Sequence, residues 1–213
     1  MTTATVRHHR SVAVLALVMI VVWVGSAAVA RAILHARRGG GAAVRFSDPT
    51  GSPQWWSRVT GTVGFVLLVL GPIAELAGLS ALPFLDSASV RVVGLVLAIL
   101  GIVATIGAQA AMGPSWRGDV DPEAQTALVT TGPFRWIRNP IFTASAVTVT
   151  GIAMMVPNLI AVVAVVFMLV TYQIQVRLVE EPYLRRIHGA AYQAYAERTG
   201  RFLPWIGRAR PTR

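Results

Sequence analysis

Two adjacent carboxylates, Glu180 and Glu181, stand in the run Arg177-Leu178-Val179-Glu180-Glu181-Pro182, directly after a long apolar stretch. Charges at the end of such a stretch are expensive near lipid unless they are paired or face a polar cavity, so this pair marks a candidate site. Arg177 stands three positions before Glu180 and four before Glu181, within reach of either on one helical face. A local ion pair beside a helix start accounts for the same residues structurally. Upstream, Arg135-Trp136-Ile137-Arg138-Asn139-Pro140-Ile141-Phe142 leads into another apolar run. Pro140 pushes Asn139 out of the helical region and itself suits a first helical position. A helix starting there offers unpaired N–H groups and a positive dipole end, which suit the carboxylate of a small cosubstrate. Arg135, Trp136 and Arg138 also fit an interfacial anchor.

Several chemistries are excluded by residue type. The chain has no cysteine, so thiol nucleophiles, disulfides and Cys-ligated metals drop out. All 19 basic residues are arginine, which removes Schiff-base chemistry and a lysine phosphate loop. The four histidines, His8, His9, His35 and His188, are scattered, so no metal site is expected. The net charge of +10 would suit nucleic acid, but no base-stacking or groove-reading motif accompanies it, and no nucleic-acid partner is expected.

The elements that must position these residues are membrane helices. Of 213 residues, 54% are apolar and 13% charged, and mean hydropathy is +0.61. Soluble domains carry about 25% charged residues. Spans are expected over Ser11–Ala30, about Val59–Leu82 and about Val90–Met112. The stretch Pro140–Val176 is too long for one crossing, and Pro157-Asn158 near its middle reads as the turn of a helical hairpin. With five crossings the arginines sort by side. Arg31, Arg37, Arg38, Arg45, Arg58, Arg117, Arg135, Arg138 and the eight from Arg177 onward share one face, against Arg7, Arg10 and Arg91 on the other. The excess therefore records orientation, with the N-terminus external and the C-terminus cytosolic. A cleaved signal peptide ending at Ala28-Val29-Ala30 would put the arginine-rich first loop and tail outside, against that rule.

Glu75 lies within the second span, towards the external side and apart from the other polar elements. After Pro182, Tyr183, Leu184, Ile187, Ala191, Tyr192 and Tyr195 alternate with Arg185, Arg186 and His188, as in an amphipathic helix on the cytosolic surface able to roof a pocket. Asp119, Asp121 and Glu123 read as a solvated acidic loop, and the glycine-rich segment around Gly39-Gly40-Gly41 as a flexible connection.

The order Leu128-Val129-Thr130-Thr131-Gly132-Pro133-Phe134, Arg138-Asn139-Pro140-Ile141-Phe142, an apolar hairpin, Glu180-Glu181, then Gly189 to Pro204 as Gly-(x)2-Tyr-(x)2-Tyr-(x)5-Arg-Phe-Leu-Pro resembles the isoprenylcysteine carboxyl methyltransferase family of membrane enzymes, related to phospholipid methyltransferases. The resemblance covers roughly residues 117–206. It implies an S-adenosylmethionine cofactor held between the last two spans and the tail, against Thr126, Ala127, Leu128, Val129, Phe134, Asn139, Pro140, Ile141, Phe142 and Glu180. The family's substrate-side arginine falls one position before Arg177. Asn139 stands where the family has His, and Phe142 where it has Tyr. Asn keeps hydrogen bonding without a titratable proton, and Phe keeps the ring without the hydroxyl.

The expected protein is an all-α polytopic membrane protein with five transmembrane helices and a cytosolic C-terminal amphipathic helix. It divides into a three-helix scaffold, 1–114, with a cytosolic loop at 35–58, and a methyltransferase-like core, 115–213. The expected activity is methyl transfer from S-adenosylmethionine to a small lipophilic acceptor (carboxylate, thiol or amine) at the cytosolic face of a plasma (inner) membrane. Glu181 is the nearest base for a thiol or amine, and Arg177 the residue to hold a carboxylate. The competing readings are an NADPH-dependent membrane reductase, since sterol reductases resemble this C-terminal architecture, and a non-catalytic scaffold or lipid-binding protein.

Overall fold

The computed structural model describes residues 3–37, 49–112 and 127–210, with side chains in the first of these segments from 9 to 26. The first connection and the acidic loop of Asp119, Asp121 and Glu123 therefore fall wholly or largely outside the described residues. The elements are α1 (Thr3–Arg37), α2 (Pro53–Leu76), α3 (Ala88–Met112), a 3-10 turn (Gly132–Arg135), α4 (Pro140–Met155), α5 (Leu159–Ile174), a π-helical turn (Gln175–Glu180) and α6 (Glu181–Arg198). Among the described residues there is no named strand, only two isolated bridges in the tail region.

Four helices are long and apolar enough to cross a membrane, and α4 is a shorter apolar helix. The protein is a multi-pass membrane protein. Leu68 and Ile152 are fully buried, whereas Val92, Val103 and Val166 point outward, as expected when lipid is the outer solvent. The second helix begins at Pro53 and ends at Leu76, not at Val59 and Leu82. The Ser52 side chain accepts a hydrogen bond from Trp55 N and Pro53 occupies its first turn, a start signal stronger than the onset of apolarity.

The pairing of helices follows from small residues. A Cβ on Gly94 of α3 would lie 2.6 Å from Gly151 O of α4, so only glycine permits this crossing. On the other side α2 packs on α5, where a Cβ on Gly71 would meet Ala161 at 3.1 Å and the hydroxyl of Thr171 donates to Thr60 Oγ1 at 2.9 Å. The α4–α5 hairpin turns at Pro157-Asn158 as its sequence implies. Asn158 caps α5 by accepting from Ala161 N at 3.0 Å, and its amide donates to Gly71 O at 2.9 Å, so this fully buried side chain also ties the turn to α2.

Glu75 has a structural partner. The Arg91 guanidinium donates to Glu75 Oε1 at 2.7 Å, to Met155 O at 2.8 Å and to Asp86 Oδ1 at 2.9 Å. Arg91, in the first turn of α3, is thereby brought beside the last turn of α2.

Pro182 was expected to start a separate helix. Instead the chain continues from α5 into α6, and the turn before Pro182 widens to i→i+5 bonding. Proline cannot donate to the carbonyl four residues back and its ring crowds it, and a π turn absorbs both defects without breaking the axis. A crossing from Leu159 needs ~20 residues, so Glu181 and α6 lie beyond it.

Candidate cofactor cleft

Where α4 begins, its N-terminus lacks a side-chain cap: Asn139 makes no capping bond and Pro140 has no N–H. The Asn139 amide instead donates to Arg201 O at 3.1 Å, and its backbone N–H reaches the same carbonyl at 3.2 Å. Arg138 N donates to Gly200 O at 2.8 Å, so the segment before α4 and the segment after α6 run side by side. The first turn of α4 and the end of the π turn thus share one cleft.

The enclosed part of that cleft is about 100 Å³, and it opens outward at its mouth. Its wall contains Ala127, Leu128, Val129, Phe134, Asn139, Pro140, Ile141, Phe142 and Glu180, every expected cofactor residue except Thr126, which lies outside the described residues. Met112, Arg138, Leu184, Tyr192 and Tyr195 complete it. Leu184, Tyr192 and Tyr195 belong to the amphipathic segment that the sequence offered as a roof, but their part in the wall had no signal of its own beyond tyrosine spacing. Tyr195 is positioned by its hydroxyl, which donates to Phe134 O at 2.6 Å, and its ring stands edge-on to Tyr192. Burial holds the Tyr195 phenol above its ordinary pKa, so it remains a donor.

The two carboxylates diverge. Glu180 faces the cleft, and its Oε1 accepts from the Gln175 amide at 3.3 Å. Glu181 is buried on another side, outside the cleft wall. Its Oε1 accepts from Arg138 Nη2 at 2.9 Å and Arg201 Nε at 2.7 Å, and its Oε2 from Arg201 Nη2 at 2.9 Å. Arg185 adds a longer contact at 3.6 Å. Arg138 is also held by the carbonyls of Ala196, Thr199 and Gly207. Burial would raise the Glu181 pKa, but the hydrogen bonds from Arg201 and Arg138 outweigh it and hold the carboxyl below its usual value.

This arrangement corrects the local pairing read from spacing. Arg177 is exposed on the π turn and forms no ion pair with either carboxylate. The partners of Glu181 come from 43 positions before it and 20 after it in the chain, a closure that i,i+4 reasoning cannot see. Among the described residues no group of three or more His, Asp or Glu side chains gathers as a metal site would require.

Residues 90–191 match the model of the phospholipid methyltransferase family. That match spans 102 of the 213 residues, just under half of the chain. It is also similar in fold to the eukaryotic intramembrane Ras methyltransferase ICMT (isoprenylcysteine carboxyl methyltransferase), at 21% identity and a TM-score of 0.55. The match covers 78% of this chain and 57% of that one, so the chain spans under two thirds of the length of the ICMT structure. No curated protein matches it by sequence. The matched residues take in the cleft wall apart from Tyr192 and Tyr195, together with most of α6.

Proposed function

We propose that the protein transfers a methyl group from S-adenosylmethionine to a small lipophilic acceptor at the cytosolic border of a plasma (inner) membrane, with its N-terminus external. The observation that carries this reading is the cleft between the uncapped start of α4 and Glu180, in a chain whose residues 90–191 match a methyltransferase family. Its wall suits that cofactor by donor type. The first-turn N–H groups of Ile141 and Phe142 lack intrahelical partners and suit a carboxylate, and Glu180 can accept from cationic or hydroxyl groups. The rings of Phe134, Phe142 and Tyr192 offer π faces to a heterocycle or a sulfonium.

The bound cofactor would supply an electrophilic methyl group, and this chain's residues would align the acceptor and exclude water. We assign Glu180 and the 127–142 strip, with Thr126, to cofactor binding, and Leu184, Tyr192 and Tyr195 to the roof. The base role first considered for Glu181 fits its surroundings poorly, because arginines occupy both oxygens; we assign it to holding the tail in place. Arg177, exposed on the π turn, keeps a role in drawing in an anionic acceptor. The division into a scaffold, 1–114, and a core, 115–213, belongs to the same reading, with the amendment that α3 of the scaffold contributes Met112 to the cleft.

Calorimetry on the purified full chain tests it. S-adenosylhomocysteine should bind and NADPH should not, and Glu180→Gln should weaken S-adenosylhomocysteine at least about ten-fold, the scale of one charged hydrogen bond. Heat with NADPH alone would replace this reading by the reductase, and silence with both by a scaffold. The acceptor is sought by comparing lipid extracts of cells with and without the protein for the mass of one added methyl group.

A further inference from the structure

Beyond α6 the chain makes a tight turn whose apolar tip is exposed among the described residues. Arg201 N donates to Ile206 O at 2.8 Å and Ile206 N to Leu203 O at 3.2 Å, which closes the loop on itself. The closure is so tight that a Cβ on Gly200 would sit 2.8 Å from Trp205 N. Trp205 has φ 64°, and among the described residues it alone is a non-glycine with positive φ. A bulky side chain in the left-handed region is an uncommon and costly choice. Here it accompanies outward display: Trp205 is 67% exposed, Ile206 63% and Leu203 51%. Trp136, 52% exposed, lies on the neighbouring segment, with the Arg135 guanidinium over its ring at 5.1 Å.

The height of this tip relative to the helices is fixed by one bond. Phe202 O accepts from Thr143 Oγ1 at 2.8 Å, and Thr143 stands in the first turn of α4, an apolar helix. The turn thus sits level with the polar-to-apolar border of the bundle, where tryptophan and arginine are favoured in bilayers. Arg198, Arg208 and Arg210 are exposed around it, and no acidic residue occurs from Arg198 to Arg213.

We propose that the Leu203–Ile206 turn inserts into the bilayer interface on the side of α6, with Trp205 and Trp136 at the depth of the upper acyl chains and Arg135, Arg208 and Arg210 at anionic headgroups. Lipid is the occupant because the tip is bonded to the apolar helix α4 at its polar border and combines apolar residues with arginines and no acid, the pattern that an anionic leaflet attracts. The insertion holds whatever reaction the cleft performs. It would also fix the position of the roof, because Arg201, at the base of the turn, is bonded to Glu181 at the start of α6.

The test uses the full chain in vesicles of equal parts phosphatidylcholine and phosphatidylglycerol, with bromine placed near the headgroup end of the acyl chains. Subtracting the emission of Trp205→Phe from that of the wild type isolates Trp205. Its emission should fall about two-fold or more with the brominated lipid and resist aqueous iodide. Quenching by iodide without quenching by bromine would place the tip in water. Resistance to both would mean that protein, a second copy or another chain, covers it. Either result overturns the proposal. Trp136→Phe supplies a second difference spectrum, read by the same criteria, should the Trp205 variant fail to fold.

Discussion

Replacing Glu181 by Gln keeps the shape of the side chain and removes the charge that two arginines share. Arg201 is partly exposed and can turn towards water, so its share of the loss is small. Arg138 cannot, since its side chain is only 2% exposed and its remaining partners are neutral carbonyls. Leaving a buried charge without its counter-ion costs about 3–5 kcal/mol, and the retained amide oxygen and carbonyls put this case at the lower end, ~3 kcal/mol. The cost falls on the contact between the tail and the α4 entrance, because the bonds Arg138 N to Gly200 O and Asn139 N to Arg201 O join those segments. At ~1.4 kcal/mol per factor of ten, local opening should become roughly 100-fold more frequent. Amide hydrogen exchange of the protein in nanodiscs, followed over residues 137–139 and 199–206, reads this directly. Exchange within about three-fold of the wild type would refute the reasoning, and so would equal acceleration by Glu180→Gln, which leaves the clasp intact.

Three further outcomes follow from the same structure. Arg91→Ala should lower thermal stability by about 3–5 kcal/mol by stranding Glu75 among apolar neighbours, yet leave S-adenosylhomocysteine affinity unchanged, as calorimetry would show. Gly151→Val should abolish the folded state in detergent, judged by size-exclusion profile, because any Cβ there meets the Ala98 and Gly94 backbone of α3. The pH dependence has a definite sign. The Glu181 pKa is lower folded than unfolded, where it is near 4.5, so its contribution is fully present above that value and is lost as pH falls through the folded pKa. Exchange protection over residues 199–206 should therefore hold from neutrality to about pH 5 and weaken in more acidic buffer, whereas Glu181→Gln should lack that step.

Much of the site could be read from residue order. Asn139-Pro140 announced the start of α4, Pro157-Asn158 the hairpin, and Glu180 after an apolar run a carboxylate at a polar border, because proline geometry and the cost of charge in lipid act locally. Boundaries were read less well. Ser52-Pro53 outranked hydropathy in starting α2, and the helix runs on through Pro182 by way of the π turn before it instead of starting afresh there. The pairings could not be read at all. Spacing offered Arg177 to the carboxylates, while the folded chain gave Glu181 to Arg138 and Arg201. Glu75 looked like an isolated charge in a span until Arg91 folded back onto it.

By itself the sequence determined the solvent and the helical class, and its resemblance to a known family implied the strip of residues that lines one cleft. Composition sets the first, and the second follows because a backbone in lipid must satisfy its hydrogen bonds within its own segment. Tertiary structure decided which of two adjacent carboxylates faces that cleft and which is consumed in holding the tail. The physical reason is that a charge takes its state from whatever lies within a few ångströms. For Glu181 those neighbours are brought by the α4 entrance and the C-terminal turn, through contacts that no periodicity along the chain encodes.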